Sequence, residues 1–302
     1  MNDKPLETEL LGVTLKNPVI AASGTFGFGR EYAELFDVSR LGGICGKGLT
    51  LDGSAGNRGV RVTETPAGML NSIGLENPGV ARFVAEEAPF MRSLGCAVIA
   101  NLGGHSVSDY IEGARLLNDA DIDILELNIS CPNVRAGSMA FGLSPGSAAD
   151  VTRRVKEVAR HPLMVKLTPN APDPVEVALA CEQAGADALS LVNTFLGMAI
   201  DVDKKRPVFD NVYAGLSGPA VMPLALRIVH QAAKRVKIPV VGMGGISCAR
   251  DALCFLMAGA RAVQVGSMNF ANPRAMLDII DGLARYCEEN HLENIREIRG
   301  IV

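Results

Sequence analysis

The sequence has no C-x-x-C pair, so neighbouring thiols build neither a zinc knuckle nor a redox dithiol. Its seven cysteines (45, 96, 131, 181, 248, 254 and 287) are odd in number and scattered, which points to a reduced, cytoplasmic protein. No four-cysteine spacing for an iron–sulfur cluster exists, and Cys248 and Cys254 stand six apart without companions. No stretch approaches the ~18 uninterrupted apolar residues of a membrane span. The N-terminus, MNDKPLETELLGVTLKNP, is polar and acidic and lacks the basic and apolar regions of a signal peptide. Basic clusters are also scarce. Against 33 acidic residues stand 29 basic ones, and the densest group, Lys204-Lys205-Arg206, lies beside a proline as a solvated loop. A nucleic-acid surface is therefore not expected.

What the chain does have is apolar residues, 48% of its 302. Length alone allows one large domain or two ordinary ones. There is no low-complexity linker and no abrupt shift in composition. Short apolar runs recur at 18–22, 43–46, 97–101, 124–129, 163–167, 188–192, 239–242 and 262–265. Helix-like segments lie between them at 29–35, 78–93, 107–118, 147–160, 174–184, 219–235, 249–258 and 273–288. Asn77-Pro78, Asp173-Pro174 and Asn272-Pro273 each read as an N-cap followed by proline at the first helical position.

Continuous apolar strands alternating with helices imply a parallel sheet with a covered outer face. Eight such units predict one (β/α)₈ barrel domain over 1–302. A doubly wound sheet, the alternative, would place its glycine fingerprint near the first strand, whereas here the glycine-rich turns come late. Residues 6–16 alternate apolar and polar and predict a hairpin closing the barrel bottom. Long insertions follow the second strand (48–77) and the sixth (194–218), and loops of this length are usually functional.

Barrel chemistry sits at the C-terminal strand ends. In order these carry Ala22-Ser23-Gly24-Thr25, Gly46-Lys47-Gly48, Asn101-Leu102-Gly103-Gly104, Asn128 to Cys131, Val165-Lys166-Leu167-Thr168, Val192-Asn193-Thr194, Gly242-Met243-Gly244-Gly245 and Val265-Gly266-Ser267. Singly, an asparagine there is a turn residue, a lysine a solvated group and a cysteine packing. Their convergence on one rim argues for a site. The last two glycine-rich ends read either as tight turns or as a phosphate cradle, in which bare backbone approaches the oxygens and a helix N-terminus adds a favourable field. Lysine at the fifth strand end suits the edge of a flavin that gains charge on reduction. The asparagines suit a heterocycle of alternating N–H and C=O groups. Few carboxylates or histidines stand on the rim, which disfavours metal hydrolysis and paired-carboxylate chemistry.

These residues fall in longer motifs: NPVIAASGTFGFG (17–29), KGLT (47–50), ETPAGMLNSIGLENPG (64–79), ANLGG (100–104), ELNISCPN (126–133), VKLTPN (165–170), VNT (192–194), GLSGPA (215–220), GMGGI (242–246) and QVGS (264–267). With them the sequence closely resembles the class 1 dihydroorotate dehydrogenases, flavin mononucleotide (FMN) enzymes of pyrimidine synthesis, over nearly its whole length. SGTFGFG and NSIGLENPG resemble class 1B, the NAD-linked subclass. GNRGVRV (56–62) is poorer in proline than that pattern, and Ala214 stands where glycine is more usual.

The resemblance implies that Cys131 is the base that takes the C5 proton of dihydroorotate while hydride leaves C6. A thiol's ordinary pKa of ~8.5 lies close enough to working pH for that role, and Pro132 restricts how the loop presents it. It implies cofactor contacts from Ser23, Lys47, Gly48, Asn101, Asn128, Lys166, Val192 and Gly218, with Gly244, Gly245, Gly266 and Ser267 on the phosphate. It implies substrate contacts from Lys47, Asn71, Ser72, Ile73, Gly74, Leu75, Asn128, Asn193 and Thr194, with Lys47 pairing with the carboxylate. A partner subunit carrying FAD and a [2Fe–2S] cluster is implied, in a heterotetramer of two catalytic and two electron-transfer chains. The alternatives are the fumarate-linked homodimeric subclass, an FMN barrel reducing another pyrimidine, a phosphosugar isomerase or aldolase using Lys166 as a Schiff base, and a catalytically silent binding subunit.

Overall fold

The computed structural model of the chain describes residues 5–130 and 141–302. Strands β1 (Thr8–Leu10) and β2 (Val13–Leu15) form an antiparallel hairpin. Its turn residues, Leu11 and Gly12, both take positive φ (56° and 81°), as a two-residue hairpin turn requires. Next come two barrel strands, β3 (Val19–Ala21) and β4 (Gly43–Cys45). The first insertion then supplies β5 (Val62–Thr65) and β6 (Gly68–Asn71) outside the barrel. Strands β7 (Ala97–Leu102), β8 (Ile124–Asn128), β9 (Leu163–Lys166) and β10 (Ala188–Leu191) continue the barrel. The second insertion holds β11 (Phe195–Met198), β12 (Ile200–Asp201), β13 (Arg206–Pro207) and β14 (Tyr213–Ser217). Strands β15 (Val240–Met243) and β16 (Ala262–Val265) complete it.

The eight barrel strands close in the order β3-β4-β7-β8-β9-β10-β15-β16, every neighbour parallel. Every residue of these strands is buried, because helices cover one face and side chains fill the interior. The interior is layered. At the bottom Ile20, Cys45, Ile99, Ile124, Met164, Ala188, Val241 and Ala262 pack with Leu10 and Leu15 of the hairpin. Side chains alternate along a strand, so the residues two places on point inward one layer higher. There the apolar interior gives way to Asn101, Glu126, Lys166, Ser190 and Gln264, all buried.

The two insertions pair with each other. Strand β14 lies between β11 and β6, giving the antiparallel order β11-β14-β6-β5. Sequence reading expected functional loops here and did not anticipate a sheet. Several helix starts also differ from expectation. Asp173 caps helix Pro174–Gln183 as read, accepting from Val175 and Glu176 N–H. Asn77 does not cap a helix. Its Oδ1 accepts from the backbone of Thr50 (3.0 Å) and Gly79 (2.9 Å), and the helix begins at Val80. That helix runs through a π-helical segment, Phe83–Glu87, just before Pro89, which lacks an N–H. Asn272 caps the turn at Arg274 N–H, and the last long helix is Ala275–Glu289. Among the described residues no helix is long and apolar enough to cross a membrane.

Leu15→Ala should empty part of the barrel bottom and cost about 2–5 kcal/mol, read as a lower denaturant midpoint. A loss under about 1 kcal/mol would show that the hairpin does not plug the barrel.

Candidate active site

One cavity opens at the C-terminal ends of the barrel strands, beneath the four-stranded sheet. It collects Ser23 after β3, Lys47 and Gly48 after β4, Asn128 of β8, Lys166 of β9, and Val192, Asn193 and Thr194 after β10. Gly244 and Gly245 after β15, and Gly266 and Ser267 after β16, complete the rim. Asn71, Ile73, Gly74 and Leu75 reach it from β6 and the loop beyond. Three expected residues stand behind the wall. Asn101 is fully buried one layer down. Ser72 turns away, its hydroxyl meeting Asn57 and Asn211 Nδ2 at 3.1 and 3.2 Å. Gly218 supports Gly245, whose added Cβ would lie 2.8 Å from the Gly218 carbonyl oxygen. Cys131 lies outside the described residues.

The floor is built on the Glu126 carboxylate, which has no exposed surface. Its Oε1 accepts from Ser190 Oγ and Gln264 Nε2, each at 2.8 Å. Its Oε2 accepts from Asn101 Nδ2 at 2.5 Å and Cys45 Sγ at 3.1 Å, with Lys166 Nζ 4.0 Å away. Burial pushes this carboxyl up, but the Lys166 ammonium and the hydrogen bonds from Cys45, Gln264 and Ser190 outweigh it and hold it below the ordinary value. Glu126 is therefore ionised at neutral pH and acts only as an acceptor.

The network continues upward. Asn101 Oδ1 accepts from Asn128 Nδ2 at 3.3 Å, and Asn128 Oδ1 accepts from the hydroxyl and N–H of Ser130 at 2.8 and 3.2 Å. Asn193 Nδ2 donates to the Ser130 hydroxyl at 2.8 Å and its carbonyl at 3.1 Å. Ser130, next to Cys131 in sequence, is thus held from two strand ends. Above, Asn71 Nδ2 donates to Gly215 O at 3.2 Å, which ties the roof sheet together at the cavity. Asn57 N–H donates to Ile73 O at 2.8 Å and anchors the loop that carries Ile73, Gly74 and Leu75.

Two observations test whether FMN suits these residues. Gln264 lines the cavity, and its Oε1 is buried with no donor among the described residues, so a ligand N–H would satisfy it. A Cβ added to Gly266 would meet nothing closer than 3.7 Å, so packing does not require glycine there, while bare backbone suits an approaching anion. Gly244 and Gly245 differ. They take φ of 121° and 77°, and their Cβ atoms would press on Ala225 and Met222 at 2.6 and 2.7 Å, so the fold itself demands them. The charged groups among the described lining residues are Lys47 and Lys166, with no carboxylate. The residues fit an anionic, heterocyclic ligand.

Reading strand ends missed Glu126, Ser190 and Gln264, which lie inside the runs ILELN, ALSL and AVQV. The signal was available: each is a polar residue two places after an apolar, inward-facing one. Met69, Leu216 and Ser217 of the roof, and Phe270, were missed as well.

Residues 5–286 match the family model described as dihydroorotate dehydrogenase. The chain is 51% identical over 296 residues to the dihydroorotate dehydrogenase B (NAD(+)) catalytic subunit of Petrotoga mobilis, covering 98% of this chain and 99% of that one. Proteins of the same name from Alkaliphilus metalliredigens and Thermoanaerobacter pseudethanolicus are 50% and 51% identical over 295 residues, covering 98% of each chain.

Thiol reactivity tests the burial. Burial pushes Cys96 and Cys181 up to about 12, and burial together with the Glu126 charge raises Cys45 well above the ordinary thiol value. Cys248 is exposed. Iodoacetamide at pH 8 should modify Cys248 in the native protein and reach Cys45, Cys96 and Cys181 only on unfolding, as mapped by peptide mass spectrometry. Native labelling of Cys45 would contradict the closed floor.

Proposed function

The chain belongs to the dihydroorotate dehydrogenase family, and on that footing we propose that it oxidises dihydroorotate to orotate in pyrimidine synthesis, as the catalytic subunit of an NAD⁺-linked enzyme. The observation that carries this reading is the cavity itself. Two ammonium groups, a set of amides and an unsatisfied buried acceptor converge at the barrel mouth without a carboxylate among the described lining residues.

FMN, when bound, supplies the two-electron acceptor for the hydride released from substrate C6. Ser23, Lys47, Gly48, Asn128, Lys166, Val192 and the Gly244, Gly245, Gly266 and Ser267 turns are the residues that would hold it, with Asn101 and Gly218 supporting them from behind. Lys166 supplies positive charge where the reduced ring carries negative charge. Lys47 pairs with the substrate carboxylate, a group that distinguishes orotate from other pyrimidines. Asn71, Ile73, Gly74, Leu75, Asn128, Asn193 and Thr194 orient the ring by side chain and backbone, and Ser72 holds the loop. Cys131 takes the C5 proton. Ser130, fixed by Asn128 and Asn193, anchors the chain next to that thiol.

The relatives are named catalytic subunits. This reading therefore includes a second, electron-transfer chain bearing FAD and a [2Fe–2S] cluster, assembled with this one as a heterotetramer in the cytoplasm. The sequence itself has no four-cysteine spacing for such a cluster.

Protein purified alone, or reloaded with FMN, should show a flavin spectrum that bleaches when dihydroorotate is added without oxygen. A flavin that stays oxidised with dihydroorotate but bleaches with another dihydropyrimidine would contradict the substrate assignment. Cys131→Ser should keep its flavin and slow that bleaching near neutral pH by roughly 10²–10⁴-fold, because a serine hydroxyl is a far weaker base. An unchanged rate would remove Cys131 from the role.

A further inference from the structure

Five of the eight barrel strands send a side chain to one buried carboxylate on a sixth. Cys45 of β4, Asn101 of β7, Ser190 of β10 and Gln264 of β16 donate to Glu126 of β8, and Lys166 of β9 stands 4.0 Å away. Closing the barrel does not call for this arrangement. Two residues lower on the same strands the interior layer is Ile99, Ile124, Met164, Ala188 and Ala262, and it packs without a charge. A buried ion pair is often no more stabilising than apolar residues of the same volume. The charged layer also lies where the cavity begins, since Lys166 and Gln264 line the cavity while Glu126 is sealed beneath them.

Its chemistry is directional. An ionised carboxylate only accepts, so both amides must turn their NH₂ ends toward Glu126. That leaves Gln264 Oε1 as an unsatisfied acceptor at the cavity and sends Asn101 Oδ1 to Asn128.

We propose that Glu126 is a positioning residue for the cofactor. It supplies the counter-charge for Lys166 and orients Gln264 and Asn101, and through them it sets how strongly the site favours the reduced, anionic flavin over the oxidised one. This rests on the FMN reading above. It assigns Glu126 no contact with cofactor or substrate. The Glu126 charge offsets that of Lys166, so its removal leaves the cavity floor more positive and the reduced flavin better stabilised.

The test is the midpoint potential of bound FMN in Glu126→Gln and Glu126→Asp. Glutamine keeps the shape and loses the charge, whereas aspartate keeps the charge and loses a methylene. Glu126→Gln should raise the reduced-to-oxidised ratio at fixed poise at least tenfold, about 30 mV for a two-electron couple. Glu126→Asp should stay nearer wild type. A purely structural carboxylate predicts the opposite ranking, with the shorter residue more disruptive. That ranking, or a Glu126→Gln potential equal to wild type, would overturn the proposal.

If Glu126→Gln folds poorly or loses FMN, the double variant Glu126→Gln/Lys166→Met decides. Removing both charges should recover the thermal midpoint relative to Glu126→Gln, because an unpaired buried cation is then the source of damage. A thermal midpoint in the double variant no higher than in Glu126→Gln would overturn the proposal. Wild-type protein that takes up no FMN would sink the functional reading instead, and the thermal midpoints of the single and double variants would still decide the pairing.

Discussion

The mouth of this barrel depends on one carboxylate that never meets water. A charge sealed inside a closed sheet costs several kcal/mol unless its lone pairs are filled and an opposite charge stands near. Glu126 meets both conditions by drawing donors from four other strands and an ammonium from a fifth. The requirement runs both ways. Those strands must hold their register for the donors to converge, and the register places Asn101 beside Glu126 and Lys166 beside both Asn128 and Ser190. Everything above the floor inherits that alignment, from the Asn101–Asn128–Ser130–Asn193 chain to the rim.

The site is thus assembled in two storeys of different origin. The floor and rim come from barrel strands and the residues that follow them. The roof comes from two insertions that pair with each other as a sheet, with β6 and β14 lining the cavity. The pairing of β14 with β6 joins them, and at Gly215 the roof also comes close to the sixth strand end. A Cβ there would lie 2.2 Å from Thr194 Oγ1, so a larger residue would push the roof away from the sixth strand end. Residues assigned to the cofactor sit mostly on the barrel and those assigned to the substrate mostly on or under the roof. In the proposed reading, Lys47 and Asn128 at the barrel mouth are shared by both ligands.

Much of this was legible from sequence, for physical reasons. Strands buried on both faces write themselves as unbroken apolar runs, and eight of them with intervening helices leave few architectures open. Polar residues at their ends are visible because they interrupt those runs at equivalent places. Glu126, Ser190 and Gln264 stand inside the apolar runs rather than at their ends, where only period-two alternation marks them as inward-facing. The roof sheet was not legible because Leu70 and Leu216 pair across a large separation in sequence, and such pairing leaves no local signal. Asn77 misled because an asparagine before proline suits an N-cap, whereas here its oxygen is taken by the Thr50 and Gly79 N–H groups. Cys131 stands out at the fourth strand end, its role as base is what the family resemblance implies, and it falls outside the described residues.

A crystal structure of the chain with FMN and orotate tests the central claim most directly, because the claim is geometric. The phosphate should lie against the Gly244, Gly245, Gly266 and Ser267 turns, with a ring N–H on Gln264 Oε1. The orotate carboxylate should lie at Lys47 beneath the β6–β14 roof. Flavin or orotate bound away from this cavity, or a phosphate held elsewhere on the rim, would contradict it.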